Sequence, residues 1–141
     1  MNLLFDLGAL QPYGSVKNHG GGEYGFAILN EIVNRNISSL RIFAFYFKTR
    51  LLQESYSSFC IKHNIVMIEI SDHKEISSLF SKFQIDIFYS AIPYDYYDIE
   101  IPDHVSFKGT IHGLRSLELT YDNTKPKYVK KIRQQCGLIK L

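Results

Sequence analysis

"RIFAFYF", residues 41–47, decides the fold: six apolar residues follow one arginine without interruption. A strand with one wet face alternates apolar and polar residues, so an unbroken run suits a strand covered on both faces, the habit of parallel sheets. Similar runs stand at 2–7 ("NLLFDL"), 65–70 ("IVMIEI") and 85–92 ("IDIFYSAI"). Between them apolar residues recur at helical spacing: Phe26, Leu29, Ile32 and Val33; then Leu51, Leu52, Tyr56, Phe59 and Cys60; then Ile76, Leu79, Phe80 and Phe83. Asn34, Asn36, His63 and Asn64 fall where those helices should end. A fifth strand is expected at 105–113, "VSFKGTIHG". Strands alternating with helices argue for right-handed crossovers and an α/β, three-layer sandwich. Its sheet is expected to be mostly parallel, with five or more strands in the order 3-2-1-4-5.

With 141 residues the chain fits one domain, 1–141, large enough to bury roughly two thirds of the surface its unfolded form exposes. Hydrophobic residues at 45% and charged residues at 21% exclude a disordered chain. Every apolar run is far shorter than the ~20 residues that cross a bilayer, and "MNLLFDLGAL", broken by Asp6, has no basic start to mark a secretory signal. A cytoplasmic protein is expected. Cys60 and Cys136 are too few and too distant for a disulfide framework or metal cluster. The net charge of +2 is uneven: residues 1–124 carry ten basic against fourteen acidic residues, and 125–141 carry six basic residues and no acid. Such a tail suits a solvated helix face, or peripheral contact with phosphate or the inner face of a membrane. Without aromatic platforms or overall basicity, nucleic acid is not the expected partner.

Three glycines, Gly20, Gly21 and Gly22, stand just ahead of the first helical pattern, in "NHGGGEYGFAILNEIV" (18–33). A helix amino terminus offers N–H groups and a partial positive charge, and glycine lets a bulky anion approach that backbone. In open α/β sheets ligands settle at the carboxyl ends of the strands, where this segment must lie if 2–7 is the first strand. Gly20, Gly22 and Gly25 fit G-x-G-x-x-G literally. Residues 8–19 nevertheless intervene after the strand, and the second strand ends in Phe47 and Lys48 rather than a ribose-binding acid, which counts against a dinucleotide site. No Gly-Lys-Ser or Gly-Lys-Thr marks a Walker-type loop. A plain glycine-rich connector is the bland alternative.

A second constellation is "TIHGLRSLEL", 110–119. His112 falls where the fifth strand should end, Gly113 permits a turn, and Arg115 adds a cation; imidazole can bond a sugar hydroxyl or phosphate, and Arg clamps phosphate in two-point fashion. The tyrosine-rich segment 93–104, "PYDYYDIEIPDH", suits either a polar ligand such as a sugar or a partner surface.

Together, a strand at the amino terminus, "GGGEYGFAILNEI" and "TIHGLRSLEL" resemble the amino-terminal domain of family 4 glycosyltransferases of the GT-B fold. The resemblance implies half of a GT-B fold: a Rossmann-like, acceptor-side domain facing a donor-binding carboxyl-terminal domain that this sequence does not contain. It implies that Gly21 and Gly22, with Gly20 beside them, approach the donor diphosphate or sugar, and that His112 lies at the reacting centre. Glu23 and Arg115 are expected to contact acceptor or phosphate. The whole enzyme would move a hexose from a nucleoside-diphosphate sugar to a glycan or lipid-linked acceptor with retained configuration. No Asp-x-Asp pair or His cluster appears, so no metal and no cofactor beyond the donor substrate is expected. The family's basic pair and Glu-x7-Glu pattern are missing, so an amino-terminal fragment of a longer enzyme, inactive alone, is expected. The alternative is a non-catalytic, flavodoxin-like module binding a phosphorylated small molecule or a protein partner.

Overall fold

The computed structural model of the chain describes residues 1–12, 20–92 and 98–110. Five strands, β1 (Asn2–Asp6), β2 (Arg41–Phe47), β3 (Val66–Ile70), β4 (Ile87–Ser90) and β5 (Ser106–Gly109), form one sheet in the order β3-β2-β1-β4-β5. Every pairing is parallel. This is the expected order, and it differs from the flavodoxin order 2-1-3-4-5. Three helices, α1 (Gly20–Asn34), α2 (Glu54–Lys62) and α3 (Ile76–Lys82), complete a Rossmann-like three-layer sandwich.

The order of the strands explains the layers. From β1 to β2 to β3 the chain steps in one direction, so right-handed crossovers put α1 and α2 on the same face. From β3 it returns past two strands to β4, and the same handedness puts α3 on the other face. The core divides accordingly. On the α1–α2 side Phe5, Leu7, Ala44, Leu29, Cys60 and Ala91 are buried together, with Phe26 of α1 against Tyr56 and Phe59 of α2. On the α3 side Leu4, Phe43, Phe45 and Phe88 pack with Ile76, Leu79 and Phe80. Both faces of β1 and β2 are thus covered, which is why their sequence does not alternate.

Strands β4 and β5 are shorter than the apolar runs at 85–92 and 105–113. β1 offers β4 only three partners, Leu3, Leu4 and Phe5, and beyond Ser90 the chain turns away. Helix ends are set by residues in the left-handed region: Asn36 after α1, Asn64 after α2 and Gln84 after α3. Asparagine tolerates that conformation through its short polar side chain, so two of the three stops were legible. The Asn2 side chain covers the end of α3, donating to the carbonyls of Phe83 and Gln84.

The glycine run departs from expectation. Gly20, Gly21 and Gly22 do not precede the helix; they form the first turn of α1. Further along the helix the packing is close. Gly22 and Gly25 are buried, and a Cβ on Gly25 would stand 2.9 Å from the Ala91 Cβ and 3.2 Å from the Leu10 Cδ1. Bare backbone lets α1 rest directly on the residues that follow β4 and β1.

A second close approach is at Gly8, in the 3₁₀ turn Gly8–Leu10 after β1, where a Cβ would meet the Phe47 ring at 2.5 Å. That ring is pinned, with the Arg50 guanidinium 4.2 Å from its centroid and the Phe45 ring edge against it. Gly8→Ala should therefore destabilise the fold by about 1–3 kcal/mol, the cost of overpacking a filled core. Urea denaturation should show a lower midpoint at unchanged slope; an unchanged midpoint would mean that the turn yields freely.

Candidate functional site

β1 and β4 are neighbours in the sheet but not in sequence, so the strand order reverses between them. Connections leave such a pair in opposite directions, opening a crevice at the carboxyl ends of the strands. The residues bordering this place are Asp6 and the turn Gly8–Leu10 after β1, Ser90 with Ala91 and Ile92 at the end of β4, and the first turns of α1 seated by Gly25.

A buried polar group lies beneath it: Asp6, the last residue of β1, is completely buried behind the apolar Leu3, Leu4 and Phe5. One carboxylate oxygen, Oδ1, accepts from the Ala9 N–H at 3.0 Å, and the other, Oδ2, from the Ser90 hydroxyl at 2.7 Å. Ser90 Oγ accepts in turn from the Ile92 N–H at 3.1 Å. A buried carboxylate is tolerated only when its oxygens are bonded in this way, because desolvation costs several kcal/mol. Beside it, buried Gln11 completes the end of β2: its amide donates to the carbonyls of Phe47 and Arg50, both at 2.9 Å, and accepts from the Phe47 N–H at 2.7 Å.

The first turn of α1 faces this end of the sheet. A helix start directs its N–H groups outward along the axis, and the helix dipole adds partial positive charge there. Gly21, half-buried, brings no side chain between that backbone and a ligand, whereas Gly22 is buried and has a partner within the fold. Glu23 is exposed in the same turn, and its negative charge opposes a phosphate beside it; its acceptor oxygens suit the hydroxyls of a sugar better.

On the flank toward β5, Tyr89 stacks on Phe5, with ring centroids 5.1 Å apart and planes 23° from parallel. Its hydroxyl is 3.0 Å from the Thr110 hydroxyl. Burial raises the Tyr89 pKa above the ordinary phenol value, and the hydrogen bond to Thr110 opposes that shift. Tyr24 of α1 and Asp6 are both close enough to push it further upward. Thus α1, β4 and the end of β5 meet around one tyrosine. His112 and Arg115 lie outside the described residues, as do residues 93–97 of the tyrosine-rich segment, with its three tyrosines, and the basic tail.

Sequence reasoning found the glycines and missed Asp6, Ser90, Tyr89 and Gln11. The signal for Asp6 was present: a lone acid ending a run that both faces of the sheet must cover. Among the described residues His73 pairs with carboxylates, 2.9 Å from Asp98 and 3.4 Å from Asp72. Burial pushes the Cys60 thiol up to about 11, so it is a core residue rather than a thiolate. Among the described residues no group of three or more His, Cys, Asp or Glu is placed to hold a metal ion, and no helix is long and apolar enough to cross a membrane.

No protein-family model matches the chain, and neither does any curated protein or solved structure.

The His73–Asp98 pair ties the turn before α3 to the chain that follows β4. The hydrogen bond from His73 holds the Asp98 carboxyl below the usual carboxylate range. A carboxyl depressed by folding contributes stability above its unfolded pKa of about 3.9 and loses it as pH falls through the folded value. Asp98→Asn should therefore be less stable than the parent at neutral pH, with the difference closing below about pH 4. Urea denaturation across that range measures it; a difference that does not change with pH would place the effect in packing.

Proposed function

We propose that this chain is the acceptor-side, Rossmann-like half of a GT-B glycosyltransferase that moves a hexose from a nucleoside-diphosphate sugar to a glycan or lipid-linked acceptor. The observation that carries the reading is the position of the glycine-opened first turn of α1, at the strand-order reversal between β1 and β4. The resemblance of "GGGEYGFAILNEI" and "TIHGLRSLEL" to family 4 motifs selects sugar transfer from the many reactions such a crevice can host.

In this reading the donor's diphosphate lies across the amino terminus of α1, close to the amides of Gly21 and Gly22, where helix dipole and N–H groups meet its charge without a metal. Glu23 takes acceptor hydroxyls. His112, following the strand whose end is tied to Tyr89, stands at the transferred sugar, where a hydrogen bond to charge developing in the transition state lowers the barrier. Arg115 adds a cation toward acceptor or phosphate. A second domain closes over the donor and supplies the remaining contacts, and the peripheral basic tail meets an anionic surface. The protein works in the cytoplasm, toward the inner face of the membrane when the acceptor is lipid-linked.

Titration with a nucleoside-diphosphate hexose tests this. Amide signals of Gly20, Gly21 and Gly22 should move in nuclear magnetic resonance spectra, and Gly21→Val should abolish the response by filling the space the phosphates need. Silent glycine amides would remove the reading. In the transferring enzyme His112→Ala should lower the rate by about 10²-fold, the scale of one lost transition-state contact; a near-parental rate would remove His112 from the reacting centre.

A further inference from the structure

We infer that Asp6 is a positioning residue that sets where the amino terminus of α1 stands over the crevice, an inference that rests on the ligand reading above only for its effect on binding. Asp6 is bonded on both sides. Toward β1, Asp6 Oδ1 holds the Ala9 N–H, and Leu10 is the next residue; toward β4, Asp6 Oδ2 holds the Ser90 hydroxyl, and Ala91 is the next residue. Leu10 and Ala91 are the two side chains against which Gly25 is wedged. The carboxylate therefore fixes both walls of the seat on which α1 rests, five residues from the helix start at Gly20.

The chemistry suits this role. A carboxylate is acceptor-only, so both neighbours must turn a donor toward it, and Ser90 can donate to Asp6 while its oxygen still receives the Ile92 N–H. That second bond fixes the backbone immediately beyond Ala91. Ser90 donates to Asp6 across 2.7 Å, a well-formed hydroxyl hydrogen bond that fixes the direction of both groups. An apolar residue at position 6 could fill the volume but would hold neither wall in register. Anion recognition by backbone amides depends on placement to within a fraction of an ångström, so a shifted seat weakens binding even where the fold survives.

The test compares Asp6→Ala, Ser90→Ala and Asp6→Asn with Ile76→Val, a mild core change on the opposite face. Two readouts are taken in each variant: the nuclear Overhauser effect between the Gly25 α-protons and the Ala91 methyl group, and the affinity for inorganic pyrophosphate. Asp6→Ala and Ser90→Ala should weaken the first and lower the second by about tenfold or more, the loss expected when a bonding distance is spoiled. Asp6→Asn keeps an acceptor for Ala9 and a polar group for Ser90, so it should recover much of both. Ile76→Val should change neither. If Asp6→Ala does not fold, Ser90→Ala decides alone. Unchanged Gly25–Ala91 proximity in a folded Ser90→Ala protein, or unchanged pyrophosphate affinity there, overturns the inference. A parent protein that ignores pyrophosphate while the variants lose the Gly25–Ala91 contact removes the ligand reading and leaves the positioning role standing.

Discussion

A carboxylate buried at the end of a central strand is the constraint on which the rest of this structure turns. Asp6 has no exposure to water, so its charge must be met by the protein at the one level of the sheet where strand order reverses. It is met by a backbone N–H from the connection leaving β1 and a hydroxyl from the strand on the other side of the reversal. The two connections that diverge there are held together by the same side chain. The divergence of the crossovers is thus anchored by one buried side chain.

The helix above it is positioned by size rather than by charge. Gly25 has room for no Cβ against Ala91 and Leu10, and Gly8 has none against Phe47. Each glycine therefore leaves out a methyl group where its backbone meets a neighbouring side chain. Glycines at 20, 21 and 22 lower intrinsic helix propensity, a cost of roughly 1 kcal/mol each in a helix interior, yet the helix begins at Gly20 because its later turns bury Leu29 and pack Phe26 against α2. Tertiary packing outweighs the local preference, leaving bare backbone aimed at the ligand end of the sheet.

The fold was legible in the sequence because the deciding residues act locally or in bulk. Continuous runs such as "RIFAFYF" report two covered faces, and Asn36 and Asn64 report helix ends. Crossover handedness then decides which face each helix covers once the strand order is set. The site was legible only in part. Gly20–Gly22 announce themselves by composition, whereas Ser90 and Tyr89 read as ordinary members of a strand; their roles come from partners 84 and 21 residues away, and no pattern along the chain encodes such pairings. Asp6 gave a local sign, a single charge in an apolar run, that could be read as burial but not as a bond to β4. Propensity alone puts Gly20–Gly22 ahead of the helix, and the packing of its later turns, which carries the helix back to Gly20, exists only in the folded chain.

The most direct measurement is a crystal structure of the protein with a nucleoside-diphosphate hexose bound. The account predicts diphosphate oxygens within about 3 Å of the Gly21 or Gly22 amide nitrogen, the ordinary N–H···O distance, with the sugar directed toward Thr110 and the end of β5. A ligand bound at the amino-terminal edge of the sheet, or on the outer surface of α2 or α3, would contradict it.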